Sequence, residues 1–146
     1  MYMGLYHQVF VYGSLRNSCT NHYRLEGAIF KGFAKTIDYY YMIGLKSKTF
    51  PYVTTDKLND SLELSQITGE LYDVSDTLLE GLDNLEGHPT WYKRTRIPVV
   101  NSSENSEKYA FMYILEDEEI KKGIRQSFDK RFMSVPTGDW MDVVKK

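Results

Sequence analysis

The sequence predicts an α+β domain in which a mixed, mostly antiparallel sheet curls or closes on itself, with two or three helices at its periphery. Three observations carry this. Six or seven short runs rich in β-branched and aromatic residues are punctuated by Gly, Pro, Asn and Ser. Helical patterns occur only two or three times and do not alternate with the strands, which excludes a doubly wound parallel sheet. A glycine inside one run, Gly32, marks a bend of the kind that curled sheets and barrels use. The 146 residues have the usual length of one domain, here 1–146, and no repeat, low-complexity tract or linker divides them.

Residues 8–12, QVFVY, read as a strand that enters a tight turn at Gly13 and Ser14. Leu15 and Arg16 lead through polar NSCTN into HYRLEG, a short helix with Asn21 as its cap and Gly27 as its stop. Residues 28–36 and 37–45 read as two successive strands, 51–53 as a further short one, and 56–65 as a polar loop. Residues 67–74 alternate as a strand and run into Ser75, the N-cap of a helix with Asp76 in its first turn. Gly87 ends that helix and Pro89 prevents its continuation. Residues 91–100 and 108–115 form a predicted hairpin around the polar loop NSSENSE, with Tyr92, Arg94 and Arg96 on one face of its first strand. EDEEIKKG, acids first and bases last, suits a short solvent-facing helix, and Trp140 in SVPTGDW is an apolar anchor for the tail.

Composition narrows the function classes. A net charge of -2, with acids and bases interspersed, provides no field that would gather nucleic acid or an anionic membrane surface. A single cysteine, Cys19, excludes an intramolecular disulfide framework and a multi-cysteine metal site, and fits a reducing compartment, with the cytosol as the default. The opening MYMGLYHQ has neither the basic nor the apolar region of a secretory leader, and no apolar run approaches the roughly 20 residues of a membrane helix. Two Asn-x-Ser matches, at Asn59 and Asn101, therefore carry no weight. Aromatic content is 14%, dominated by 12 Tyr, which suit half-buried sheet faces and polar pocket walls alike.

The most informative stretch is TLLEGLDNLEGHPTWYKR, residues 77–94. At about 100° per residue, Leu78, Leu79, Leu82 and Leu85 fall on one arc and form a core-facing stripe. Glu86 lands inside that arc, whereas Glu80 and Asp83 point away from it as solvated acids should. Burial and the negative end of the helix both disfavour an ionised Glu86 and push its pKa up. Such a group is either a structural ion-pair member, with Arg94 or Arg96 as its partner, or a proton-transfer group.

The second stretch is Tyr12-Gly13-Ser14-Leu15, where a Gly and a small hydroxyl residue at a strand end allow backbone N–H groups to converge on a carboxylate or oxyanion. An ordinary hairpin turn reads the same way. Other chemistries find no support: there is no phosphate loop, His7, His22 and His88 lack metal-ligand spacing, Ser14 lacks a nucleophile-elbow context, and Cys19 has no designated base.

Together the two stretches resemble the gamma-glutamylcyclotransferase family, and the smaller gamma-glutamylamine cyclotransferase branch looks closest. The resemblance rests on Tyr12-Gly13-Ser14-Leu15, Asn21-His22, Gly69-Glu70-Leu71-Tyr72-Asp73-Val74, and Leu82-Asp83 through Glu86-Gly87, Pro89, Tyr92 and Arg94. RNSCTNH departs from it in lacking the Gly and Pro often seen after the first loop in this branch. The resemblance implies a compact β-barrel with a pocket at its mouth and catalysis without metal or cofactor. It also implies a role for the Tyr12, Gly13, Ser14 and Leu15 loop in holding the α-carboxylate of a gamma-glutamyl group. Glu86 matches the catalytic acid/base, with Tyr92 and Tyr52 as pocket walls.

The reaction so implied releases 5-oxoproline and a free amine from a gamma-glutamyl amide. A gamma-glutamyl-lysine type amide is the first candidate, followed by gamma-glutamyl amino acids. The expected partner is this small molecule, not nucleic acid or membrane, and oligomeric state is not readable. A pocket that binds a gamma-glutamyl or other small carboxylate without turnover is the alternative, and a protein-interaction surface is a third class.

Overall fold

The sheet closes because its longest strand changes partners along its length. The computed structural model describes residues 6–17, 19 and 21–144; most of the N-terminal octapeptide read above, together with Ser18 and Thr20, lies outside the described residues. Strands β1 (Tyr6–Val11), β2 (Ile29–Leu45), β3 (Pro51–Thr54), β4 (Leu64–Ser75), β5 (Tyr92–Asn101), β6 (Ser106–Leu115) and β7 (Phe132–Ser134) are joined by helices α1 (Asp76–Glu86), α2 (Glu118–Arg131) and α3 (Met141–Val144). β2 pairs antiparallel with β4 over most of its length and with β5 through Ala34, Lys35 and Thr36. The ring β2-β4-β1-β6-β5 thereby returns to β2 as a five-stranded barrel, with β3 and β7 attached to the far end of β2. One pair, β1 with β6, is parallel, so the sheet is mixed as expected.

The two strands anticipated across residues 28–45 are therefore one. Register shifts between Phe30 and Gly32 and between Lys35 and Tyr39 bend β2 enough to serve both sides of the barrel. Other boundaries also move. The β5–β6 register closes at Asn101 and Ser106, so the hairpin loop is shorter than NSSENSE. Residues 56–65 are polar in composition, yet Leu58 and Leu62 are buried there beneath α2. α2 runs well past Gly123 and buries Lys121, Ile124 and Phe128, so it is a docked amphipathic helix and not the short solvent-facing one expected. Trp140 is 1% exposed, as its role of tail anchor requires. No helix among the described residues is long and apolar enough to cross a membrane.

α1 follows its local signals closely. Ser75 Oγ accepts from the Leu78 N–H at 3.2 Å, and Gly87 closes the helix in the left-handed region at φ 63°. Leu79 and Leu82 are buried against Val9, Val11, Val74 and Tyr113, which docks the helix on the β1–β6 side of the barrel. Area bookkeeping gives each such side chain about 1.5–3 kcal/mol of stabilisation.

A buried polar cluster ties the first loop to the barrel wall. Arg16 Nε donates to Glu70 Oε2 at 3.2 Å and its Nη1 to Asp139 Oδ1 at 2.8 Å. Glu70 Oε1 also accepts from the Asn17 N–H at 2.9 Å and the Tyr72 hydroxyl at 2.8 Å. Arg16 and Glu70 are almost fully buried, so removing one leaves the other charged in a low dielectric. Glu70→Ala is expected to cost about 3–5 kcal/mol of stability, read by urea unfolding.

Candidate active site

A cavity of about 200 Å³ opens where β1 leaves the barrel, bounded by residues 10–15, Asn21, Phe50, Pro51, Leu85, Glu86, Tyr92 and Tyr113. The turn after β1 is built by its own backbone: the Arg16 N–H donates to Gly13 O at 3.0 Å and the Asn21 N–H to Ser14 O at 2.8 Å. The Asn21 side chain does not cap the 3-10 turn His22–Leu25 as anticipated; its Nδ2 donates to Ser14 Oγ at 2.9 Å and braces the loop. His22 Nδ1 lies 3.0 Å from Leu15 O. Among the described residues, the N–H groups of Gly13, Ser14 and Leu15 make no protein hydrogen bond, and all three residues line the cavity. Gly13 has no room for a side chain, because a Cβ there would lie 2.8 Å from Pro51 Cδ.

Glu86 enters this cavity from the last turn of α1. It is half-buried, and among the described residues no hydrogen bond or ion pair reaches its carboxylate. Burial raises its pKa to about 7. Both arginines offered as structural partners are engaged elsewhere. Arg94 Nη1 donates to Asp83 Oδ2 at 2.7 Å, and the Arg96 guanidinium stacks 4.8 Å from the Tyr109 ring. Asp83 is consequently not the solvated acid its helix position suggested; its other oxygen accepts from the Tyr113 hydroxyl at 2.7 Å.

The walls are aromatic and neutral. The Tyr12 hydroxyl donates to Tyr113 O at 2.6 Å, joining the loop to β6. Burial, with the neighbouring Glu86 charge, holds Tyr12 well above the ordinary phenol pKa. Tyr92 is raised likewise, by burial and then by Tyr12, Glu86 and Tyr52. Of the two anticipated wall residues, Tyr92 faces the cavity, as does Tyr12 of the loop, whereas Tyr52 stands behind Tyr92, with ring centroids 6.2 Å apart and planes at 19°. Its neighbours Phe50 and Pro51 take the cavity surface instead. Strand alternation alone marks Pro51 and Tyr52 as opposite in direction, a signal that could have found this. Tyr113 was missed because it sits inside a nearly continuous buried run on β6.

The remaining reactive side chains are occupied or unfavourable. His7 pairs with Asp76, and His88 Nδ1 accepts from the Arg94 N–H at 2.9 Å. Burial raises the Cys19 thiol above its usual pKa, away from a thiolate nucleophile. Among the described residues no three His, Cys, Asp or Glu side chains are grouped to hold a metal ion. The cavity brings together one half-buried carboxyl of raised pKa and a turn whose Gly13, Ser14 and Leu15 N–H groups make no hydrogen bond among the described residues.

Comparison with known proteins points the same way. A family model described as "Gamma-glutamyl cyclotransferase, AIG2-like" matches residues 9–142. A Methanocaldococcus jannaschii protein provisionally named a gamma-glutamylcyclotransferase is 36% identical over 72% of this chain and 82% of its own. Gamma-glutamylaminecyclotransferase C of Danio rerio is 30% identical over 93% of this chain and 86% of its own. Among solved structures, an AIG2-like protein from Mus musculus superposes with a TM-score of 0.64 at 24% identity, over 78% of this chain and 81% of that one, a likeness of fold.

Ionised Glu86 is disfavoured in the folded state, since its pKa rises from 4.5 to about 7. Its contribution to stability is therefore complete below the ordinary carboxylate pKa and is lost as pH rises through about 7. Glu86→Gln removes the ionisation, so its melting temperature is expected to exceed that of the parent near pH 8, the gap closing toward about pH 4. A variant less stable than the parent near pH 8, with the deficit shrinking as pH falls through the carboxylate range, would identify Glu86 as an ion-pair partner.

Proposed function

The chain belongs to the AIG2-like gamma-glutamyl cyclotransferase family, and we propose that, as one domain spanning residues 1–146, it releases 5-oxoproline and a free amine from a gamma-glutamyl amide. The observation that carries this reading is Glu86, desolvated and without a partner among the described residues, lining the same small cavity as the 12–15 turn. A cavity of about 200 Å³ is below the ~300 Å³ typical of drug-sized sites and suits one amino-acyl group.

A gamma-glutamyl amide brings its own nucleophile. With the α-carboxylate on the Gly13, Ser14 and Leu15 N–H groups, the α-nitrogen folds back toward the γ-carbonyl carbon. Ring closure then forms the new C–N bond, and collapse breaks the bond to the leaving nitrogen. Intramolecular attack of this kind gains the effective molarity of a pre-oriented pair. Glu86 accepts protons given up by the α-ammonium as it becomes the lactam nitrogen and returns them to the departing amine, so protons balance without a protein nucleophile. A carboxyl with a pKa of about 7 is matched to both transfers near neutral pH.

The lining supports an amine carried on an alkyl chain as the leaving group. Away from the 12–15 turn it includes Phe50, Pro51 and Leu85, and Glu86 is the one charged side chain among the described lining. A gamma-glutamyl amino acid would set a second carboxylate, on the carbon next to the scissile nitrogen, close to Glu86 with no cation to receive it. A gamma-glutamyl-lysine type amide keeps that carboxylate several methylenes away. It is the first candidate, with gamma-glutamyl amino acids second.

A panel of gamma-glutamyl amides scored for 5-oxoproline tests the reading. The ε-lysyl amide is expected to turn over fastest, with kcat/KM climbing as pH rises through about 7 as Glu86 ionises. Glu86→Gln is expected to stay folded and lose at least ~100-fold in kcat, the scale of general acid–base catalysis. Undiminished turnover by that variant would end the assignment.

A further inference from the structure

Asp83 and Glu86 lie within one turn of each other on α1, yet their carboxylates have opposite surroundings. Asp83 accepts from Arg94 Nη1 and from the Tyr113 hydroxyl, each at 2.7 Å. Glu86 has neither kind of partner among the described residues. Arg94 is held on the Asp83 side by two further contacts: its guanidinium lies 4.6 Å from the Phe111 ring centroid, and its N–H donates to His88 Nδ1. Tyr113 stands at the junction of the three charges. Its pKa is pushed up first by burial, then by the hydrogen bond and charge of Asp83, with Arg94 opposing and Glu86 adding.

The titratable groups facing Glu86 are Tyr12 after β1, Tyr92 on β5 and Tyr113 on β6. Its own helix and the following turn contribute Asp83 and His88, and β5 contributes Arg94. Of these, Arg94 is the permanent cation. A guanidinium free to swing toward a half-buried, unpaired carboxylate would pair with it and abolish its capacity to exchange protons near neutrality.

On the reading of Glu86 as the proton-transfer group, we propose that Asp83 is a positioning residue: it captures Arg94 and the Tyr113 hydroxyl so that no cation pairs with Glu86. Three residues apart on one helix, the two acids then divide the work. Asp83 takes the counter-ion, and Glu86 is left to burial alone. The same hydrogen bond fixes Tyr113, whose carbonyl receives the Tyr12 hydroxyl, so Asp83 also steadies the wall opposite the acid.

Carboxyl-carbon NMR titration of the full chain, with the Glu86 signal assigned through Glu86→Gln, tests this independently of turnover. Asp83→Asn keeps an acceptor for Tyr113 and releases Arg94. It is expected to lower the Glu86 pKa by about one pH unit or more. The double variant Asp83→Asn with Arg94→Gln is expected to bring it back near the parent value, and Arg94→Gln alone to move it by less than about half a unit. Active enzyme should show the same shifts in the acid limb of its kcat/KM profile.

A Glu86 pKa unmoved in Asp83→Asn, or left low in the double variant, overturns the proposal. So does a rise of about a unit or more in Arg94→Gln alone, which would mean that Arg94 already acts on Glu86. Because the titration needs no substrate, a chain that processes no gamma-glutamyl amide would refute the proposed reaction while leaving this measurement decisive.

Discussion

The burial of Arg16 between Glu70 and Asp139 is the constraint on which the site's geometry depends. Among the described residues, the segment that follows β1 has turns but no helix or strand before the 3-10 turn at His22, and its backbone makes few bonds to the barrel. What holds it is a guanidinium anchored on β4 and on the approach to α3 at once. Such clusters contribute little net stability, because desolvating the charges offsets most of the attraction. Their value here is positional. With Nε on Glu70 and Nη1 on Asp139 and the Thr68 carbonyl, the planar guanidinium pins Arg16, and so the end of the turn that carries Gly13, Ser14 and Leu15, to the barrel wall.

The opposite side of the cavity is fixed by different means. α1 is set by its caps, Ser75 at one end and Gly87 at the other, and by the leucines that press it onto the barrel. Those local devices decide that Glu86 is the final helical residue and that it points where Leu85 also points, into the cavity. The last-turn carbonyls add a negative potential. A carboxyl of raised pKa is thus produced by a helix ending at the right place, with no hydrogen-bond partner among the described residues.

How much of this was legible in sequence follows from how local each cause is. The α1 caps, the leucine arc and the inward direction of Glu86 are set within a dozen residues, and all were readable. Gly-Ser at a strand end marked the 12–15 turn, but an anion-holding loop and an ordinary hairpin turn read alike there. Asp83 was misread for the same reason Glu86 was not: helical direction placed it off the core, but its partner arrives from β5 across the sheet, a contact that periodicity does not encode. The continuity of β2 was hidden because its bends interrupt the alternation. α2 was cut short at Gly123, where a glycine tolerated within the helix looks like a stop. Tyr52 was expected on the cavity only through the family resemblance, yet its ring stacks behind Tyr92 and its neighbours Phe50 and Pro51 line the cavity.

The tyrosines explain why a single carboxyl dominates the electrostatics of this cavity. Tyr12, Tyr92 and Tyr113 line it, and burial comes first among the causes holding each phenol above its ordinary pKa, so none ionises near neutrality. Their hydroxyls give dipoles, not charge, and Tyr12 and Tyr113 spend theirs on Tyr113 O and Asp83. A wall of that kind lowers the dielectric around Glu86 without supplying a counter-ion, which is the combination that raises a carboxyl pKa. Replacing an aromatic wall by a cationic one would hold a substrate carboxylate more strongly but would pull Glu86 back toward an ordinary acid. On the proposed reading, binding the carboxylate through backbone N–H groups would avoid that conflict, since partial charges on a turn attract an anion without carrying the full unit of charge that would quench a nearby acid.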